Sequence, residues 1–117
     1  MPILEIQTML SKDKPGTAVV RLIGSLDTFA VPMLEKKLQE LIEAQNIRLI
    51  INCQKLRFLS SPGIGLFMGC LGDLEKRGGG IIFAEVAQPE VYDAMKLLGF
   101  FEVFPVYGTE QEALQGN

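Results

Sequence analysis

Histidine and tryptophan are absent from the sequence, and cysteine occurs only twice, at Cys53 and Cys70. Without histidine the chain lacks the commonest general base, the usual activator of a serine or cysteine nucleophile, and the commonest zinc ligand. Two cysteines build neither a four-thiolate zinc site nor a disulfide framework. With no secretory signal ahead of them, they read as reduced thiols of a cytoplasmic protein. Long apolar runs are missing too: Leu49 to Ile51 and Ile64 to Leu71 fall far short of the roughly 20 residues that cross a bilayer. Basic residues are outnumbered, Lys+Arg 11 against Asp+Glu 14, for a net charge of −3. Such a balance argues against the counterion-displacing surface of a nucleic-acid binder.

The residues present are those of a globular chain. Of 117 residues, 48% are hydrophobic and 21% charged, enough for one buried core and not two, so a single domain spanning 1–117 is expected. Ile3 to Leu10 and Thr17 to Ile23 read as strands on either side of a Lys14, Pro15, Gly16 turn, an antiparallel hairpin. Val31, Leu34, Leu38, Leu41 and Ile42 then recur at helical spacing from near Pro32. Ile47 to Cys53 is an almost unbroken apolar run, as in a central strand buried on both faces. Gly63 to Arg77 turns helical again, with Ile64, Phe67, Met68, Leu71 and Leu74 in one stripe and Gly78 to Gly80 closing it.

Ile81 to Val86 reads as a strand, Pro89 to Leu98 as a helix stopped by Gly99, and Val103 to Val106 as a short edge strand. Thr109 and Glu112 form a capping box for a last helix. This alternation after a hairpin predicts an α/β fold with a mostly parallel sheet and right-handed crossovers.

Chemistry-bearing motifs are few. Gly63, Gly65 and Gly69 follow a strand, but a dinucleotide fingerprint needs its third glycine where Met68 stands, and no phosphate-loop run occurs. No cofactor or metal site is expected. Gly65, Gly69 and Gly72 share one helix face; tight packing on the sheet is the first expectation, a partner-facing groove the second. Phe58 to Gly65 is the most informative segment. Pro62 pushes Ser61 toward extended dihedrals and suits the first helical position itself, so Ser61 is expected as the N-cap, with Ser60 on the loop before it. A phosphate there would meet the positive end of the helix dipole and add nearly two negative charges to the surface.

Taken in order, the hairpin, Gly24, Leu26 and Asp27, Pro32, Phe58 through Gly65, and Leu98, Gly99, Phe100 ahead of Val103 to Val106 resemble the STAS family of anti-sigma factor antagonists over nearly the whole chain. The resemblance implies a mixed, mostly parallel sheet of four to five strands that opens with a hairpin, and about four helices. It also implies a partner, an anti-sigma factor that is also a serine kinase. The unmodified domain binds it and frees a sigma factor for transcription, and phosphorylation breaks the complex. The family's usual acceptor position is occupied by Pro62, which cannot be modified. Stressosome-type members carry theirs one position earlier, which makes Ser61 the first phosphorylation candidate and Ser60 the second.

Asp27, Phe29, Ser60, Ser61, Pro62, Gly63 and Gly65 are the implied partner-binding residues, with Met33 beside them. Asp27 reads equally as a turn cap, and Phe29 as core. A constitutive, unphosphorylated scaffold of a signalling or lipid-transport assembly, or a homo-oligomer, is the alternative. An enzyme or small-ligand sensor ranks last, since no nucleophile, base and orienting group can be assembled.

Overall fold

In the computed structural model, which describes residues 4–116, the opening hairpin is present. β1 (Leu4–Leu10) and β2 (Thr17–Leu26) pair antiparallel in unbroken register, from Leu4 opposite Gly24 to Leu10 opposite Ala18. The Thr17 N–H donates to the Lys14 carbonyl at 3.1 Å, and Gly16 takes φ 85°, a left-handed conformation that carries no Cβ penalty in glycine. Ile3, assigned to the first strand from the sequence, and the ends of the expected 1–117 domain lie outside the described residues.

The chain continues through α1 (Val31–Glu43), β3 (Arg48–Leu59), α2 (Ser61–Lys76), β4 (Gly80–Ala84), α3 (Pro89–Leu97), α4 (Phe100–Val103), β5 (Val106–Tyr107) and α5 (Glu110–Gly116). The strands lie in the order β1-β2-β3-β4-β5, antiparallel between the first two and parallel thereafter. The mixed sheet with β3 at its centre agrees with the sequence reading.

Two elements differ from it. β3 continues beyond Cys53 to Leu59 because bulges at Arg21/Ile23 and Gly24/Ser25 shift its register against β2. Its buried residues in that half, Leu56 and Leu59, are consequently three apart, a spacing that hides a strand. The edge strand expected over Val103 to Val106 is only Val106–Tyr107, and Val103 instead closes an additional short helix, α4, with Phe104 as its extended C-cap. Phe100 and Phe104, four apart, both enter the core through that helical turn.

The main core lies between one sheet face and the helices α1 to α4. Leu34, Leu38, Leu41 and Ile42 of α1 and Phe67 and Leu74 of α2 are buried there. Phe83 of β4 sits among three other rings, edge-to-face with Phe67 at 5.1 Å and Phe100 at 4.7 Å and 5.2 Å from Phe104. Such ring pairs add to what area burial alone provides.

α5 covers the opposite sheet face, where Val19, Ile50, Ala84 and Ala113 are fully buried. Its apolar anchorage is small, and polar groups hold its first turn. Arg21 grips the Glu110 carboxylate through Nε at 2.9 Å and Nη2 at 2.7 Å, and Asn52 Nδ2 donates to the same group at 2.9 Å. The Glu110 N–H donates to Glu85 Oε2 at 2.9 Å. One half of the expected capping box is there as well: the Glu112 N–H donates to Thr109 Oγ1 at 3.0 Å, while the Glu112 carboxylate accepts from the Thr109 hydroxyl at 3.0 Å.

The Arg21 hydrogen bond, helped by Asn52, holds the Glu110 carboxyl below its ordinary 4.5 against the opposing effect of burial. A depressed folded-state value means stability that is complete above about pH 5 and is lost as pH falls through the folded value. We expect the urea midpoint to drop between about pH 5 and pH 3, and Glu110→Gln to flatten part of that drop while lowering the midpoint at pH 7. An unchanged pH profile in the variant would show that Glu110 does not couple protonation to folding.

Candidate docking site at the head of α2

β2 and β3 end together, and everything that follows is set by that shared end. Leu26 pairs with Leu59 in the parallel register, and the Ser60 N–H donates to the Leu26 carbonyl at 2.9 Å. The two strands therefore release their loops side by side, one into the turn Asp27 to Ala30 and the other directly into α2. Gly63 closes the corner from beneath: a Cβ built on it would lie 2.9 Å from Leu26 Cδ2 and 3.2 Å from Leu59 Cδ1, so glycine lets the first turn of α2 sit on the strand ends.

The cap of α2 is Ser60, not Ser61. Ser60 has the extended backbone of an N-cap, φ −83° and ψ 161°, and its hydroxyl accepts from the Gly63 N–H at 3.2 Å while its carbonyl accepts from the Ile64 N–H. Bonded to the sheet through its own N–H and only 9% exposed, Ser60 is structural in its contacts. Ser61 becomes the first helical residue and Pro62 the second, both exposed. Ser60→Ala should cost about 1 kcal/mol of stability, measured as a shift in urea midpoint; a neutral effect would mean the cap is replaced by water.

Asp27 caps the turn, accepting from the Ala30 N–H at 2.8 Å. It thereby stands in for the hydroxyl cap that α1 lacks, since Ala30 at that position has no side-chain bond to give. Phe29 is not core. Ala30 takes the buried place and Phe29 projects from the turn with 89% of its surface exposed. Phe58 at 50%, Met33 at 44% and Met68 at 44% are the other exposed large apolar side chains carried by β3, α1 and α2.

The exposed face of α2 carries the second surprise. Ser61, Gly65, Met68 and Gly72 recur at i, i+4, i+7 and i+11 with Gly69 beside them, and all five are exposed. A Cβ on Gly65, Gly69 or Gly72 would meet nothing within 4 Å. The expectation that these glycines pack on the sheet is thus overturned. Phe67 and Leu74 face the core instead, and the glycine face looks outward. The signal was in the sequence, because the three glycines lie across the helix from Ile64, Phe67, Leu71 and Leu74; Met68, expected in that stripe, is exposed on the glycine side instead.

Neither thiol belongs to this corner as a nucleophile. Burial pushes the Cys53 thiol up to about 12, and burial together with the nearby carboxylates of Glu35 and Asp73 raises Cys70 as well. Among the described residues no group of three or more Cys, Asp or Glu side chains is placed to hold a metal ion, and no helix is long and apolar enough to cross a membrane. The corner offers instead a hydroxyl, a turn with a projecting aromatic ring, and a helix face without charge from Ser61 to Gly72.

The family model described as STAS domain matches residues 8–113. An anti-sigma F factor antagonist of Paenibacillus polymyxa is 28% identical over 100 residues, covering 85% of each chain. The anti-sigma factor antagonist SpoIIAA in its unphosphorylated form superposes with a TM-score of 0.80 at 29% identity, over 94% of this chain and 93% of its own. The phosphorylated form of the Bacillus cell fate determinant SpoIIAA superposes with a TM-score of 0.70 at 26% identity, over 96% of each chain.

Proposed function

The chain belongs to the STAS domain family, and on that premise we propose that it works as an anti-sigma factor antagonist. In this reading it acts in the cytoplasm by binding and catalyses nothing. The unmodified domain docks onto an anti-sigma factor that is also a serine kinase and so frees a sigma factor for transcription. Phosphate on Ser61 ends the complex. The relatives' names support the partner class. The observation that carries the reading is the uncharged outer face of α2 headed by an exposed serine, with Phe29 exposed on the neighbouring turn and Phe58 exposed two residues before the cap.

The physical logic runs through desolvation. Gly65, Gly69 and Gly72 leave the backbone of α2 open to close approach, and Phe29 and Phe58 supply apolar area of the kind that anchors an interface. A phosphate at the head of that face would be welcomed by the N-terminal end of the helix dipole in the free domain. Covered by a partner with no cation opposite it, the same group is a buried, unpaired charge. The modification thus favours the free state over the bound one.

Ser61 is accessible and Ser60 is not, which gives the modification one address. Pro62 stands exposed at the family's usual acceptor position, and this favours a second reading in which the domain is a constitutive scaffold that is never phosphorylated. Co-purification of the native partner followed by ATP addition separates the two. We expect an ATP-binding partner to be retained, phosphate to appear on Ser61, and the partner to be released. Retention of a partner without kinase activity, with Ser61 unmodified, would support the scaffold.

A further inference from the structure

We infer that the free edge of β1 is a self-pairing surface, on which a second copy of this chain adds its own β1 antiparallel across a two-fold axis. The two edges of the sheet are finished very differently. β5 is two residues long, preceded by Pro105 and followed by Gly108. A short strand flanked by such residues is one of the ways proteins keep a sheet edge from pairing. β1 has seven residues, no proline, no bulge against β2, and a single charge, Glu5. Among the described residues β2 is the one element that packs extensively against it.

The ladder shows which groups the edge offers. The Ser11 N–H donates to the Thr17 carbonyl at 2.9 Å, so Ser11 and Thr17 are a hydrogen-bonded pair of the hairpin. In an antiparallel ladder such pairs alternate with non-bonded ones. Carried along the register, Met9, Gln7 and Glu5 therefore turn their N–H and C=O groups toward β2, and Leu10, Thr8, Ile6 and Leu4 turn theirs outward. Only a register that sets these outward residues against one another makes bonds. The one centred on Gln7 uses the strand from end to end, with Leu4 against Leu10, Ile6 against Thr8, and Gln7 against itself.

That register is self-complementary in chemistry as well. Glu5 comes opposite Met9, so like charges never oppose. Leu10, 58% exposed in the single chain, comes opposite the buried Leu4 of the other copy. An isologous two-fold contact needs this property of matching its own reverse. β1 contributes no residue to the corner at Ser61, so the inference stands apart from the proposed function and is tested on the unmodified chain alone.

The test is sedimentation velocity from about 10 μM to about 1 mM, the range suited to a small interface. We expect a monomer–dimer equilibrium. Thr8→Pro removes only an outward N–H and restricts Gln7 to the extended conformation it already has, so the dimer should weaken by about tenfold or more with the melting temperature unchanged. In a Cys70→Ser background, Gln7→Cys should cross-link on oxidation, since axial Cα atoms of a non-bonded pair lie about 4.5 Å apart. Glu5→Cys should not. A monomer throughout the range, a dimer indifferent to Thr8→Pro, or cross-linking through Glu5→Cys instead of Gln7→Cys would overturn the inference.

Discussion

Ser61→Asp is expected to weaken binding of the native partner by about 100-fold, and Ser61→Ala to leave it within about threefold of the parent. Leaving one charge buried without a partner at an interface costs several kcal/mol, and two to three of those give the expected factor. The free domain should not suffer. An acidic side chain in the first turn of a helix interacts favourably with the macrodipole, so its melting temperature should hold or rise slightly. Isothermal calorimetry against the co-purified partner, paired with a thermal melt, reads both quantities. Binding of the aspartate variant within threefold of the parent would remove Ser61 from the interface.

Phe67→Ala should destabilise the domain by about 3 to 5 kcal/mol, the range for truncating a buried aromatic side chain. Phe67 is fully buried, edge-to-face with Phe83 at 5.1 Å and with Phe100 at 6.5 Å, and it is the side chain through which α2 enters the ring cluster. Stabilities of small domains span about 5 to 15 kcal/mol, so the loss is a large share of the total. Because the same helix presents Ser61, partner affinity should fall along with the urea midpoint. A loss under about 1 kcal/mol would mean that the neighbouring rings close the gap.

Much of this architecture was legible in advance because periodicity is a direct imprint of burial. The spacing of Leu34, Leu38, Leu41 and Ile42 set the inner face of α1, and the apolar run from Ile47 to Cys53 set a strand covered on both sides, of which Leu49 to Cys53 are buried. The second half of β3 was not legible, since bulges against β2 leave Leu56 and Leu59 buried three apart, neither a continuous run nor an alternation. Val103 reads as the start of the edge strand because branched residues favour sheets, yet it closes α4. Core packing of Phe100 and Phe104 on Phe83 outweighed that preference.

At the corner, the serine pair and the proline announced a helix start but not its phase. Proline tolerates either of the first helical positions, and local rules alone put it at the first. The tie was broken from outside the helix, by the Ser60 N–H bonding to Leu26 of the neighbouring strand. Phe29 was undecidable for a related reason: a ring next to an alanine in a turn reads equally well either way, and only the fold determines which of the two turns inward.

The outward glycines of α2 leave that helix intrinsically weak. Each costs about 1 kcal/mol relative to alanine in a helix interior, and nothing within the domain uses the space they leave. α2 is consequently held helical by its neighbours through Phe67 and Leu74, more than by its own sequence. A segment of this kind opens at low free energy, so its amides should be among the first to exchange with deuterated solvent. An occupant that fills the glycine face would close that opening, and the protection gained along α2 would record how long it stays.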